Sequence, residues 1–374
     1  MRGIGREPKR VYLHVGLPKT GTTFLQGVLA TNASRLREHG LLYPLEHREA
    51  MFHAAVDLRG SYDRWGFDER RVSGAWDRMA AQVRQFDGSA LISHEILSSA
   101  PSEQVSKALA DIGDAEPHVV LTVRDLGRQI AAYWQEEVKD GRVITFAEFL
   151  GRIRDDLNAG KFRAAFWRSE HPIQVLRRWA DGLPPGNVHV VVAPPPGADR
   201  DELWRRYADA VGIDAAACST ETGLPANVSL GAAQSALLRD VNEALDGRIV
   251  RPPYTYVVKR FFAQSVLTQQ RAQRLTIPTD VYEPARALSE TWVHKIEAAG
   301  YTVHGDLAEL LPVPPPRDAP TVEVAVEDRY AAATDAIAEL LVEITRLREN
   351  RLVPLEGLRG SLPPLVRRII DRVR

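Results

Sequence analysis

Lys19 lies in a run of small and hydroxyl-bearing residues, Gly16-Leu-Pro-Lys-Thr-Gly-Thr-Thr23, and that combination points to anion chemistry. The apolar stretch Val11–Val15 before it reads as a buried strand, and the residues from Thr22 onward read as the opening of a helix. A helix N-terminus presents unpaired N–H groups to an anion. Gly16 and Gly21 allow the tight turn, and Lys19 with the hydroxyls of Thr20, Thr22 and Thr23 can surround a phosphate or sulfate. Only seven of the 48 basic residues are lysine, so in this arginine-rich chain a lysine in the loop suggests a compact point charge rather than a planar fork.

The order of the loop residues narrows the anion. An ATP- or GTP-binding Walker loop requires Gly-Lys-Ser/Thr after four intervening residues, whereas here the lysine precedes the second glycine. Strand, Pro18-Lys-Thr-Gly-Thr-Thr23, aromatic and leucine instead resembles the 5′-phosphosulfate loop of sulfotransferases that use 3′-phosphoadenosine 5′-phosphosulfate (PAPS). A second motif lies about 105 residues on. Strand Val119–Val123 runs into Arg124 and an amphipathic helical pattern, which resembles the same family's 3′-phosphate motif. In that pattern a serine follows the arginine by eight residues; this chain has Ala132, leaving Arg128, one turn beyond Arg124, as the nearest substitute. Asp125 alternatively makes this segment an ordinary helix cap with a surface arginine. Asn227 and Ser229, in Pro225-Ala-Asn-Val-Ser-Leu-Gly231, resemble a downstream Asn-x-Ser loop that either completes the nucleotide pocket or caps the helix near Gly231.

The resemblance implies in-line transfer of SO3 from PAPS to an acceptor hydroxyl or amine. Lys19 would stabilise the charge developing on the departing phosphate oxygen, and no metal is expected. An acceptor also needs a general base. The strand-like Ala90–Ser93 ends in His94 and Glu95, and the resemblance places a base at this strand end, with Glu95 at the nearest matching position. Partial burial would raise the pKa of Glu95 into a useful range. His53, whose unperturbed pKa already suits the task, and His94 compete for the role. A nucleotide kinase of P-loop-like fold and a catalytically dead nucleotide-binding scaffold are the alternatives to a sulfotransferase.

These residues must be held by a scaffold. Four apolar runs, Val11–Val15, Ala90–Ser93, Val119–Val123 and Val188–Val192, read as parallel strands, with helical patterns over Phe24–Arg37, Gln104–Leu109 and Leu126–Val138. This alternation predicts an α/β fold with a P-loop NTPase-like central parallel sheet flanked by helices and ligands at the carboxyl ends of its strands. Residues 1–310 would form this domain, with helical insertions at Glu46–Asp87 and Asn158–Trp179 shaping an acceptor cleft or merely packing. A proline-rich linker follows at 311–320 and a helical extension at 321–374. In that extension Tyr330, Ile337, Leu340, Ile344 and Leu347 form one stripe, predicted either to pair with a second copy or to fold back on the domain. The tail, Leu362–Arg374, is a basic amphipathic pattern that either docks or lies on the inner membrane face.

Bulk composition sets the outer limits. Across 374 residues, 44% are hydrophobic and 26% charged, as in a globular chain with a substantial core. A formal net charge of −1 gives no global attraction to nucleic acid. The single cysteine excludes an intramolecular disulfide framework and fits a reducing cytoplasm. The charged start MRGIGREPKR does not read as a signal peptide. The acceptor is expected to be a small molecule, a saccharide or a glycolipid.

Overall fold

The computed structural model describes residues 9–223, 229–271, 273–315 and 324–357, with side chains of the last helix to Glu349. Six parallel strands form one sheet: β1 (Arg10–His14), β2 (Leu41–Leu42), β3 (Ser89–Ser93), β4 (Glu116–Val123), β5 (Val188–Val192) and β6 (Thr302–His304). Their order is β2-β3-β1-β4-β5-β6. The four apolar runs recognised in the sequence are β1, β3, β4 and β5. Strands β2 and β6 escape sequence reading because they are two and three residues long and complete the edges by pairing alone.

Apolar side chains on both faces explain why these strands are central. Val11, Leu13, Leu91, Val119, Leu121, Val190 and Val192 are fully buried, and helices cover the sheet on either side. The first helix is interrupted at Asn32, giving Thr22–Thr31 and Ala33–Glu38 in place of one continuous element. The interruption has a local cause: the Asn32 amide donates to the Val28 carbonyl (2.8 Å) and to Ser219 O (2.9 Å), while its oxygen accepts from Ser219 N. The helix after β4 runs from Leu126 to Lys139, one residue longer than expected at its C-terminus.

The insertion after β2 consists of the helices Ala50–Arg59, Tyr62–Trp65, Glu69–Val72 and Ala75–Gln85. The second aromatic and basic stretch gives Ala165–Glu170 and Pro172–Trp179, with Phe166, Trp167 and Trp179 at most 1% exposed. Those aromatics are packing residues. The linker 311–320 is described only to Pro315, and the amphipathic tail 362–374 lies outside the described residues.

The extension helix, Val326–Gly357, folds back on the helix Ala232–Leu245. Its buried residues as far as Glu349 are Ala332 and Ala336, supported by Arg329–Asp240 (2.8 Å) and by Gln270 Nε2 donating to Ala332 O (3.0 Å). This fold-back does not use the stripe, which is largely exposed at Tyr330, Ile337, Ile344 and Leu347, with only Leu340 partly buried. The small alanines permit closer backbone approach, so they face the domain. No helix among the described residues is long and apolar enough to cross a membrane.

Candidate functional site

Loops at the carboxyl ends of β1, β3 and β4 meet around a cavity of about 690 Å³. The β1 loop is fixed first by backbone pairing with β4: Leu17 N donates to Thr122 O (2.7 Å) and Thr122 N to Gly16 O (2.6 Å). At Gly21 the backbone is left-handed (φ +94°), and a Cβ there would sit 2.3 Å from Leu203 Cδ2. Gly21 offers no capping side chain to the helix Thr22–Thr31. Phe24 N (3.0 Å) and Leu25 N (3.2 Å) donate to Gly21 O, which leaves the Thr22 and Thr23 N–H groups to be satisfied by a ligand or solvent.

Pro18, Lys19, Gly21, Thr22 and Thr23 all line the cavity, as the sequence implied. Thr20 does not. Its hydroxyl is buried, donates to Leu17 O (2.6 Å) and lies 2.5 Å from Thr122 Oγ1, so it braces the loop instead of meeting a ligand. Behind it, His14 bridges Ser93 Oγ (2.8 Å) and Thr122 Oγ1 (3.2 Å), and its burial pulls the imidazole pKa down to about 4. The strand ends are thus locked together beneath the loop.

Arg124 lines the same cavity from the end of β4. Its Nε donates to Gln129 Oε1 (2.6 Å) and Nη2 to Arg128 O (3.0 Å), and burial lowers its pKa to about 10, which leaves it charged at neutral pH. Arg128 does not act as the substitute for the missing serine. Its guanidinium is held by Asp125 and the Pro194 carbonyl (3.2 Å), away from the cavity lining. Asp125 caps the helix through Arg128 N (2.9 Å), so the cap and the cavity-facing Arg124 coexist. Ser229 lines the cavity, whereas Asn227 lies outside the described residues. The helix after Ser229 starts at Ala232 with Gly231 as its N-cap and no capping side chain, so Ser229 does not cap it.

Glu95 also faces the cavity and accepts from Gln26 Nε2 (2.9 Å), a side chain on the loop's own helix. Burial tends to raise its pKa, but His94, its own backbone N–H, Gln26 and Lys19 outweigh that and hold it below the ordinary value. The expected upward shift is reversed because the polar neighbours stabilise the carboxylate more than burial destabilises it. His53 is elsewhere: it lines a separate pocket of about 50 Å³ with Glu46 and His47. His94 is buried, stacks on Phe52 (5.2 Å) and accepts from Ile96 N (3.3 Å), which makes it a structural cap. Glu95 is therefore the one of the three base candidates that reaches Lys19's cavity.

Two further groups escaped sequence reading. Glu136 gathers three of the seven lysines: Lys19 Nζ at 2.5 Å, Lys259 at 2.6 Å and Lys139 at 3.1 Å. Burial would raise the Glu136 pKa, yet these ammonium groups hold it well below the usual range. Lys259 arrives from a π-helical segment, Thr255–Val266, and also meets Asp140 at 2.7 Å. The helical spacing Ala132, Gln135, Glu136, Lys139 marks one cavity-lining face and was the available signal; the convergence of Lys259 was not.

Glu170 is the second, only 1% exposed, with Oε1 accepting from Ser169 Oγ (2.7 Å) and Oε2 from Gln129. Desolvation raises its pKa to about 7 despite Ser169, Gln129, Arg124 and Lys19. Gln129 in turn donates to Pro18 O (2.7 Å), which ties the Arg124 region to the β1 loop. Among the described residues, no group of three or more His, Cys, Asp or Glu has metal-holding geometry. The arrangement can hold two anionic groups, one at Lys19 with the helix N-terminus and one at Arg124, with a carboxylate nearby. Comparison with protein-family models, curated proteins and solved structures gives no match to this chain.

Proposed function

We propose that the protein is a PAPS-dependent sulfotransferase. One observation supports this above the rest: Lys19 and Arg124, 105 positions apart in the chain, line one cavity at the ends of the adjacent strands β1 and β4. A donor with a 5′-phosphosulfate and a 3′-phosphate needs two such cationic positions. Lys19, Thr22, Thr23 and the open helix N-terminus suit the first, and Arg124 with Ser229 suits the second. The volume is also in the range of small-molecule and cofactor pockets, about 300–1,000 Å³.

In the proposed reaction Glu95 accepts the acceptor's proton as the new O–S (or N–S) bond forms. The S–O bond to the phosphate breaks on the opposite side of sulfur, and the bridging oxygen keeps its electron pair. Lys19 meets that developing charge, leaving 3′-phosphoadenosine 5′-phosphate as product. Gln26 orients the Glu95 carboxylate from the helix that follows the donor loop, so the base is tied to the same loop-helix unit that carries Lys19. Glu95 is ionised at neutral pH and able to take a proton without prior activation.

Radiolabelled sulfate transfer from PAPS tests the activity directly. A binding test is thermal stabilisation by 3′-phosphoadenosine 5′-phosphate against ADP. Stabilisation by the 3′,5′-bisphosphate and not by ADP is expected; the reverse preference would overturn the donor assignment and favour the kinase reading.

A further inference from the structure

A second cationic group lies on the cavity wall and is not used by the donor reading. Arg59 comes from the end of the helix Ala50–Arg59, Arg64 from the turn after it, and Arg168 from the helix Ala165–Glu170. All three line the cavity, together with Ser98 and Ser99. Arg178 stands behind them, its Nη2 donating to Ser98 O (2.6 Å) and Arg168 O (2.8 Å).

The cluster is short of negative charge. Arg59 donates to the neutral Gln104 Oε1 (2.8 Å), and among the described residues the Arg168 guanidinium has no hydrogen bond or ion pair. Arg64 reaches Glu137 only at 4.0 Å. Burial and then the charges of Arg168, Arg64 and Arg178 push the Arg59 pKa down to about 10, a sign that these guanidinium groups repel one another. An independent observation concerns Ser98: its hydroxyl is fully buried, has no hydrogen-bond partner, and its residue lines the cavity. An unpaired buried hydroxyl is costly until it is satisfied, and a bound anion would relieve the mutual repulsion of the guanidinium groups, of which Arg64 and Arg168 are solvent-exposed.

The cluster is separate from the Arg124 position. Arg124 stands at the end of β4, held by Gln129 and the Arg128 carbonyl, whereas Arg59, Arg64 and Arg168 come from the helical insertions, and the two groups share no hydrogen-bond partner among the described residues. Planar guanidinium groups bind carboxylate, phosphate and sulfate oxygens in pairs. Trp65 and Tyr133 line the cavity too and offer aromatic surface to the body of such a ligand.

We infer that Arg59, Arg64 and Arg168, with the Ser98 hydroxyl, form an oxyanion site that recognises an acceptor carrying a carboxylate, phosphate or sulfate group beside the hydroxyl to be sulfated. Calling the ligand an acceptor rests on the sulfotransferase reading; the oxyanion site itself does not.

The test measures binding by calorimetry to the full chain saturated with 3′-phosphoadenosine 5′-phosphate. The probes are 4-hydroxyphenyl phosphate, 4-hydroxybenzoate and the neutral 4-hydroxybenzyl alcohol. At least one anion should bind ten times more tightly than the alcohol, and Arg168→Gln should abolish that preference while changing bisphosphate affinity less than twofold. Arg168 is exposed and holds nothing through its side chain, so this variant should fold as the parent does. Equal binding of all three probes, or a preference that survives both Arg168→Gln and Arg59→Gln, overturns the site. A parallel loss of bisphosphate affinity also overturns it, since the arginines would then belong to the donor. If the parent fails to bind the bisphosphate yet retains an anion preference that Arg168→Gln removes, the donor reading falls and the oxyanion site stands.

Discussion

Replacing Glu136 by glutamine should move stability and donor affinity in opposite directions. Glu136 is the shared counter-charge of Lys19, Lys139 and Lys259, at 2.5–3.1 Å from each. Breaking a fully buried ion pair costs about 3–5 kcal/mol. Here the carboxylate side chain is 23% exposed and Lys259 keeps Asp140 at 2.7 Å, so we expect a loss of about 2 kcal/mol. The loss should be visible at pH 7 and shrink in acid: the depressed Glu136 pKa contributes stability above the unfolded value, which disappears as pH falls through the folded one. Donor binding should respond the other way. A phosphate on the outer side of the Lys19 ammonium would lie about 5 Å from the Glu136 carboxylate, where two unit charges repel by roughly 3 kcal/mol at an effective dielectric of about 20. Halving that for solvent screening leaves about tenfold in affinity. Urea denaturation and calorimetric titration with 3′-phosphoadenosine 5′-phosphate give the two numbers. Weaker bisphosphate binding by Glu136→Gln would refute the reasoning, because Glu136 would then be placing Lys19 for the donor instead of competing with it.

Other expectations are simpler. Lys19→Met should retain folding, since Glu136 keeps two lysines, and should lower kcat by about 10²–10³, the usual worth of one preorganised donor to a developing oxyanion. Glu95→Gln should lower turnover with bisphosphate affinity unchanged, read by transfer rate and calorimetry; unchanged turnover would move the base to Glu170, whose pKa of about 7 would give a rate that rises through neutral pH. Gly21→Ala combines a φ of +94° with a Cβ 2.3 Å from Leu203 and should cost about 2 kcal/mol in denaturant unfolding while abolishing bisphosphate stabilisation. His14 should remain neutral to about pH 4 by NMR titration. Because its folded pKa lies below the unfolded value of about 6.5, the stability it supports is complete above that pH and falls as acid is added, by about 2.5 kcal/mol at pH 4.5.

Much of the scaffold and half of the site follow from local sequence. Strands β1, β3, β4 and β5 are legible because a strand buried on both faces must be apolar throughout, and the turn after β1 because Gly16 and Gly21 occupy positions that favour glycine. Arg124 follows β4 directly, Glu95 stands two residues past β3, and Lys19 lies five past β1 in the loop that the glycines mark, so locating a strand end narrows the search to a few residues. Side-chain direction was not determined locally. Thr20 and Thr22 look alike in the loop, but the Leu17 carbonyl and Thr122 draw the Thr20 hydroxyl inward, while Thr22 remains on the cavity wall. Arg128 is turned aside by the same Asp125 that caps its helix. The pKa of Glu95 reversed its expected direction because the adjacent His94 is joined through folding by Gln26 and Lys19 from the β1 loop and its helix. Lys259, Glu170 and the Arg59–Arg168 cluster depend on helices far apart in the chain, and charge acts through space across whichever elements the sheet brings together. The sequence thus determined which residues stand at strand ends; tertiary packing alone decided which charges face each other, because that depends on distances no local spacing encodes.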